Sequence, residues 1–460
     1  MAIEIESPYL NIFEPPIENN SVESYEYVEC LEVNVKVKDK NKYKIPVNDL
    51  NVWIHPHNSY IHLKGNILRS DGNNLAATDL VTLTNNGFNL FSQAKYKIGN
   101  KEIESIDYVG IGTSVMNLVE FSDDYSRSAA TNMFWFRDTA DSSDMSRFLY
   151  NESDKDKKLK ESESTLGDFL KNSKHNHNFN EGFLERWKQT KQSKQISLFL
   201  PLSRLFGFCK DINRIFKGLT HQIELEKNIE HNFIHKSDTS ASSYKFEISH
   251  ISWFVPIVTP ALKSLAKLES QLASLASSSL CWESYNVYMT DVRTDSKSTI
   301  RITNTNHKPS HVYIVFQKSI RDENQFETNM IFDNMELTKI QIKVGNQKFP
   351  IEPYSCNFSP ENLDCSRVYA SFLSAGYKNI DVDTGTAVSY SDFIRLYPIF
   401  HFDLTSQETS IFENQATPNI DVMYTLSSPK LPIRYNMYCI IVNERKATIQ
   451  AIDEKINVIL

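Results

Sequence analysis

A chain of 460 residues with 21 Tyr, 27 Phe and only 13 Gly, 40% hydrophobic overall, has the profile of a packed globular protein and is longer than one core usually organises. Disordered and fibrous classes are excluded, and two domains are expected. A formal net charge of -8 excludes an overall positive field that would draw in nucleic acid or an anionic membrane.

The first thirty residues, MAIEIESPYLNIFEPPIENNSVESYEYVEC, have no basic n-region and no apolar h-region. No later apolar run approaches the roughly 20 residues that span a bilayer, so a soluble chain without an export signal is expected. Residues 1–24 form an N-terminal arm on this reading: SPYLNIFEPPIENN, 7–20, is acidic without Lys or Arg and carries Pro15 and Pro16. Such an arm either docks on a neighbouring subunit or minor protein, or frays without function.

Alternating or aromatic-rich runs follow, each of strand type: CLEVNVKVK (30–38), DLNVWIHP (49–56), SYIHLKGNIL (59–68), AKYKIG (94–99), QISLFLPL (195–202) and YKFEISHISWFV (244–255). Between them, SVMNLVEFSDDYSRSAA (114–130) suggests a helix in a connection. NESDKDKKLKESESTLGDFLKNSKHNHNFNEGFLERWKQTKQSKQ (151–195) is a polar insertion that emerges between two strands. PALKSLAKLESQLASLASSS (260–279) is the clearest helix, with Pro260 suited to a first turn and a stripe of Leu262, Leu265, Leu268, Leu272 and Leu275.

The second half repeats the pattern with SYNVYMTDV (284–292), STIRITNT (298–305), HVYIVFQK (311–318), LTKIQIKV (337–344), LYPIFHFDL (396–404) and YNMYCIIVN (435–443), interrupted by an amphipathic SRVYASFLSAGY (366–377). Many short strands separated by turns indicate an all-β chain of tandem antiparallel jelly-roll β-sandwiches, with short helices in loops. The boundaries expected are an arm at 1–24, a first roll at 25–258, a linker helix at 259–280 and a second roll at 281–460.

Two landmarks suggest that the second roll copies the first. LFSQAKYKIGN (90–100) and ELTKIQIKVGN (336–346) each alternate toward a Gly-Asn pair, as a strand entering a hairpin turn should. LSRLFGF (202–208) and LYPIFHF (396–402) each precede an Ile-Phe pair and then an alternating strand, HQIELE or NIDVMYTL. Between its landmarks the first copy is longer by about 52 residues, which the polar insertion accommodates.

Chemistry-bearing motifs are sparse. Cys30, Cys209, Cys281, Cys356, Cys365 and Cys439 lie far apart with no CxxC pair, and reduced, mostly buried thiols are expected. His55 and His57 flank Pro56 and make half a metal site with no third ligand nearby, which reads as a strand-end turn. His175 and His177 sit in the polar insertion as solvated loop residues. Gly110 and Gly112 in YVGIGTS lack the third glycine and the Lys-Ser or Lys-Thr of a phosphate loop. Asp123, Asp124, Asp381 and Asp383 are ordinary turn acids unless the fold pairs them. No GxSxG elbow appears, and no catalytic, cofactor-binding or metal-ligating residue is assigned.

The stretch NNGFNLFSQAKYKIGNKEIESIDY (85–108), followed by TNMFWFRDTAD (131–141) and LSRLFGFCKD (202–211), resembles double jelly-roll major capsid proteins. The nearest relatives suggested are capsid-like proteins of Maverick or Polinton elements, adintoviruses and virophages, with adenovirus-type hexons more distant. The resemblance runs from about residue 25 to the end. It implies a structural role without cofactors: a homotrimer whose six rolls make a pseudo-hexagonal capsomer, and neighbouring capsomers that tile an icosahedral shell around double-stranded DNA. It also implies a penton or minor capsid protein as partner and a place in the virion, with assembly inside the host cell. A compact 460-residue chain leaves little room for tall surface towers. A vertex protein is disfavoured because it needs only one roll. The alternative is a glycan-binding or glycan-hydrolysing protein on tandem β-sandwiches.

Overall fold

The computed structural model describes residues 21–33, 41–76, 79–141, 180–192, 195–237, 243–274, 277–292, 295–303, 308–376, 386–407, 419–430, 433–452 and 455–459. In the first half the strands are β1 (Val22–Leu31), β2 (Lys42–Val47), β3 (Trp53–Ile54), β4 (Tyr60–Arg69), β5 (Val81–Leu83), β6 (Phe91–Ile98), β7 (Lys101–Asp107), β8 (Ile196–Pro201), β9 (His221–Lys227), β10 (Ile234–Lys236) and β11 (Tyr244–Pro260). In the second they are β12 (Ser277–Asp291), β13 (Asp295–Thr303), β14 (Pro309–Lys318), β15 (Leu337–Val344), β16 (Gln347–Ser355), β17 (Phe400–Asp403), β18 (Asn419–Lys430), β19 (Tyr435–Ile452) and β20 (Lys455–Ile459).

Each half builds two large sheets that face each other, and β5 and β10 of the first half pair as a small third one. The first half has β1-β11-β4-β8, with β3 also on β11, and β2-β9-β6-β7; the second has β12-β19-β14-β17, with β20 on β19, and β13-β18-β15-β16. If β1, β2, β4, β6, β7, β8, β9 and β11 are matched in chain order to β12 through β19, the two pairs of sheet orders coincide. Both halves are jelly rolls, in which the first strand lies beside the last and strands alternate between sheets, and the fold is all-β with short helices.

The Gly-Asn landmark marks the same place in both copies. Gly99 and Gly345 both take φ 59°, the left-handed conformation that the β6–β7 and β15–β16 hairpins require. The second landmark is out of step. LSRLFGF follows β8, whereas LYPIFHF runs into the matching β17, because similar aromatic strings feed different elements. The alternating strands after them, β9 and β18, do correspond.

Helices cluster in the connections. α1 (Val109–Glu120), α2 (Asp123–Arg127) and α3 (Glu181–Gln192) lie between β7 and β8; α4 (Gly207–Asp211) and α5 (Glu230–Phe233) follow β8 and β9. α6 (Leu262–Ser274) joins the halves, and α7 (Ser366–Gly376) and α8 (Tyr390–Arg395) lie between β16 and β17. Helices therefore sit between the same pair of strands in both rolls.

Several expectations change. The helix expected to 279 stops at Ser274, and Ser277 already opens β12. β1 starts at Val22, inside the stretch read as an arm, and residues 1–20 lie outside the described residues. The run expected as a strand over 49–56 pairs only at Trp53 and Ile54, then turns at Pro56, which has no N–H to give the ladder. Of the insertion at 151–195, residues 151–179, with His175 and His177, lie outside the described residues; its end folds as α3.

The buried apolar residues form one connected cluster from Tyr43 through Trp253 to Ala447, continuous across the contact between the two rolls. Full burial of aromatic side chains such as Trp253, Phe206 and Tyr397 contributes about 2–3 kcal/mol each.

Candidate functional site

The surface with most chemistry is the seam between the rolls. The outer face of sheet β12-β19-β14-β17 is aromatic and histidine-rich: Tyr285, His311, Tyr313 and His401 point away from their own roll's core. Tyr313 stacks on His401 with ring centroids 4.9 Å apart, and His311 Nδ1 lies 3.1 Å from His401 Nε2. α1 of the first roll and α7 of the second, whose Ser371 carbonyl accepts from His401 Nδ1 at 2.8 Å, cover part of this face, so Tyr313 is 2% exposed and Tyr285 is buried. α1 lies on it so closely that a Cβ at Gly112 would be 2.8 Å from both Tyr285 and Val287. Gly110 and Gly112 thus serve helix packing inside α1, not a phosphate loop.

The edge of the first roll's second sheet completes the contact. Strand β7 packs against β12, and its exposed carbonyls are satisfied from the other roll: Arg445 Nη1 donates to Ile103 O at 3.0 Å and Asn286 Nδ2 to Ser105 O at 3.2 Å. Glu104 points into the seam from β7 and accepts from the amides of Gly207 and Phe208, the open N–H groups of α4. Burial pushes its pKa up to about 7, against the pull of those amides and of Arg445. Gly207 is needed because a Cβ there would meet Glu283 O at 1.6 Å.

Charged groups lock the far end. Asp138 and Arg186, both fully buried, pair at 2.6 Å, and Tyr397 and Thr328 of the second roll donate to Asp138 at 2.6 Å and 3.3 Å. Arg321 of the second roll holds Asp141 of the first at 2.7 Å and its own Asp333 at 3.1 Å. Buried pairs of this kind act mainly on geometry, since desolvation offsets much of their attraction.

The matching outer face of the first roll, on β1-β11-β4-β8, has the same chemistry but no cover among the described residues. Tyr60 stacks on Phe254 at 5.1 Å and lies 4.2 Å from Phe199, while Tyr27 and His62 extend the cluster. His250 bonds Glu29 at 2.9 Å. Tyr27 on β1 is 47% exposed, as against 7% for Tyr285 on the matching strand β12.

The residues singled out from sequence do not converge. His55 and His57 stack 5.7 Å apart, but His55 bonds Tyr25 and Asn213 and His57 bonds the Cys209 carbonyl, which occupies both ring nitrogens of His55 and Nδ1 of His57. Among the described residues no group of three or more His, Cys, Asp or Glu could hold a metal ion. Asp123 and Asp124 form the acidic first turn of α2, with Asp123 paired to Arg127 at 2.8 Å. Asp381 and Asp383 lie outside the described residues. All six cysteines are free; Cys281 is exposed, Cys30 half-buried and the other four buried. Among the described residues no helix is long and apolar enough to cross a membrane.

The tandem rolls and their seam define a class, the double jelly-roll proteins. A family model described as a double jelly roll-like domain matches residues 143–447, and the chain belongs to that family. Among solved structures it is similar to the Sputnik virophage structure at TM-score 0.58 and 10% identity, covering 100% of this chain and 93% of that one. It is similar to the Faustovirus major capsid protein at TM-score 0.54 and 7% identity, covering 95% and 92%. It is similar to the mavirus major capsid protein at TM-score 0.50 and 12% identity, covering 100% and 96%. No curated protein sequence matches it.

Proposed function

We propose that this chain is a major capsid protein of a virus or virus-derived element. In this reading the stretches expected at 25–258 and 281–460 are the two rolls, with strands that run from Val22 to Pro260 and from Ser277 to Ile459 and are joined through α6. Three copies form a pseudo-hexagonal capsomer, and capsomers tile an icosahedral shell around double-stranded DNA in the virion. A penton or minor capsid protein closes its vertices. The role is structural and calls for no catalysis.

The observation that carries this reading is the asymmetry of the seam. Two copies of one roll are joined side by side through the aromatic face of the second, while the same face of the first is left open on a chain that matches major capsid proteins along nearly its whole length. A side-by-side junction that uses different surfaces on its two partners can repeat and close into a ring. With a net charge of -8, the chain suits a shell wall that does not itself grip DNA.

The test is light scattering on the size-exclusion peak of the purified chain, followed by negative-stain imaging. A stable trimer of pseudo-hexagonal outline, or closed shells, is expected. A monodisperse monomer at every concentration and salt would overturn the proposal and bring glycan-binding screens forward.

A further inference from the structure

Inside the chain, the edge strand β7 of the first roll rests against β12, the first strand of the second. The second roll has its own copy of that edge, β16, and the first roll has its own copy of that first strand, β1. Where β7 buries Ile103 and Ile106, β16 leaves Phe349 and Pro350 half-buried and Ile351 87% exposed. Those three residues, with Tyr354, Phe402 and Asp403, line an open groove of about 670 Å³. Strand β1 is exposed along most of its length, with Val22, Tyr25, Tyr27, Val28 and Leu31 all open. Both strands lie at sheet edges, which soluble proteins do not ordinarily leave apolar and uncovered.

Charge sorts the two edges as partners. Residues 21–33 carry Glu23, Glu26, Glu29 and Glu32 with no Lys or Arg, of which Glu32 is buried and Glu29 bonds His250, while the β15–β16 hairpin carries Lys339, Lys343 and Lys348 against Glu352 and the Asp403 of the groove. Complementary potentials of this kind fix partner and register more than raw affinity.

We propose that a second copy of this chain is the occupant of both edges. The groove and hairpin of β16 in one copy seat on β1 and the Tyr27–Tyr60–Phe254 face of the next, so the junction between copies repeats the seam within the chain. The contact is head to tail, with different surfaces on the two partners, and it closes only when the ring is complete. This assignment rests on the trimeric capsid reading and gives that reading a specific interface.

Two variants test it. Ile351→Asp places a carboxylate opposite the acidic β1; because Ile351 is almost wholly exposed in the single chain, the fold should stay intact by circular dichroism. The half-dissociation concentration of the oligomer should rise by about tenfold or more, the usual effect of disabling an interface anchor. Tyr27→Cys combined with Ile351→Cys, in a background carrying Cys30→Ser and Cys281→Ser, is treated with a short bis-maleimide. Covalent dimers and trimers, with nothing larger, are expected from the double variant and from neither single one. A trimeric parent whose Ile351→Asp variant stays trimeric, and whose double-cysteine variant does not cross-link, overturns this interface while the trimer stands. A parent that is monomeric throughout overturns both.

Discussion

At the residue scale, Glu104 carries the sharpest consequence. Its carboxyl is fully buried between the rolls, and its pKa is raised to about 7 by burial. A raised carboxyl pKa means that the folded state holds its proton more tightly than the unfolded chain. Its share of stability is therefore present below the unfolded value near 4.5 and is lost as pH rises through about 7. Glu104→Gln keeps an acceptor for the Gly207 or Phe208 amide and removes the charge. The variant should match the parent in urea at pH 5 and exceed it by about 2.5 kcal/mol at pH 8. Equal differences at both values would mean that Glu104 is not buried as described. The neighbouring Gly207 acts through space alone: Gly207→Ala forces a methyl against Glu283 O and should cost about 3 kcal/mol, read as a lower urea midpoint.

At the scale of elements, α3 shows what polarity conceals. It closes a segment whose composition reads as solvated, yet Phe183, Leu184 and Trp187 bury with Leu80 as a cluster of their own. Asn180 caps it by accepting from Phe183 N at 3.0 Å, and Trp187 Nε1 donates to Asp79 O at 3.2 Å. Trp187→Ala should therefore lower stability by about 3–5 kcal/mol in denaturant, where a solvated loop would show almost no change. The signal was present as Phe-Leu-x-x-Trp behind an Asn cap, diluted by the charged residues before it. Half-buried strands such as β4, β6, β15 and β18 were legible because alternation records which face meets the core. β1 was not, since a strand exposed on both faces has no alternation to show until its partner covers it. α1 was half legible: its start, Tyr108-Val109-Gly110-Ile111-Gly112, looks like a loop because glycine disfavours helix, and only the close approach of Asn89 to Gly110 and of Tyr285 and Val287 to Gly112 explains why they are tolerated. The seam itself could not be read, because it depends on which copy of a repeated face is covered.

For the whole molecule, acid should act through three histidines held neutral in different places. His221 lies in the first roll against Tyr96, His235 beneath α3 near the junction, and His401 on the covered face of the second roll. Burial lowers them to about 3, about 4 and about 4. A lowered histidine pKa contributes stability that is present above the unfolded value near 6.5 and is lost as pH falls toward the folded one, so each costs about 2 kcal/mol at pH 5. Together they remove about 6 kcal/mol between pH 8 and pH 5, while Glu104 returns about 2.5 kcal/mol over the same span as its proton binds. The histidines win by number, and a net loss of about 3–4 kcal/mol is expected. Because one core joins the rolls, this loss should appear in a single unfolding transition, with both rolls failing together. Urea midpoints at pH 8 and pH 5, followed at one protein concentration, check the sign. In Glu104→Gln the compensation is absent, so the fall should steepen toward the full 6 kcal/mol, and a slope identical to the parent's would refute the opposition of the two effects.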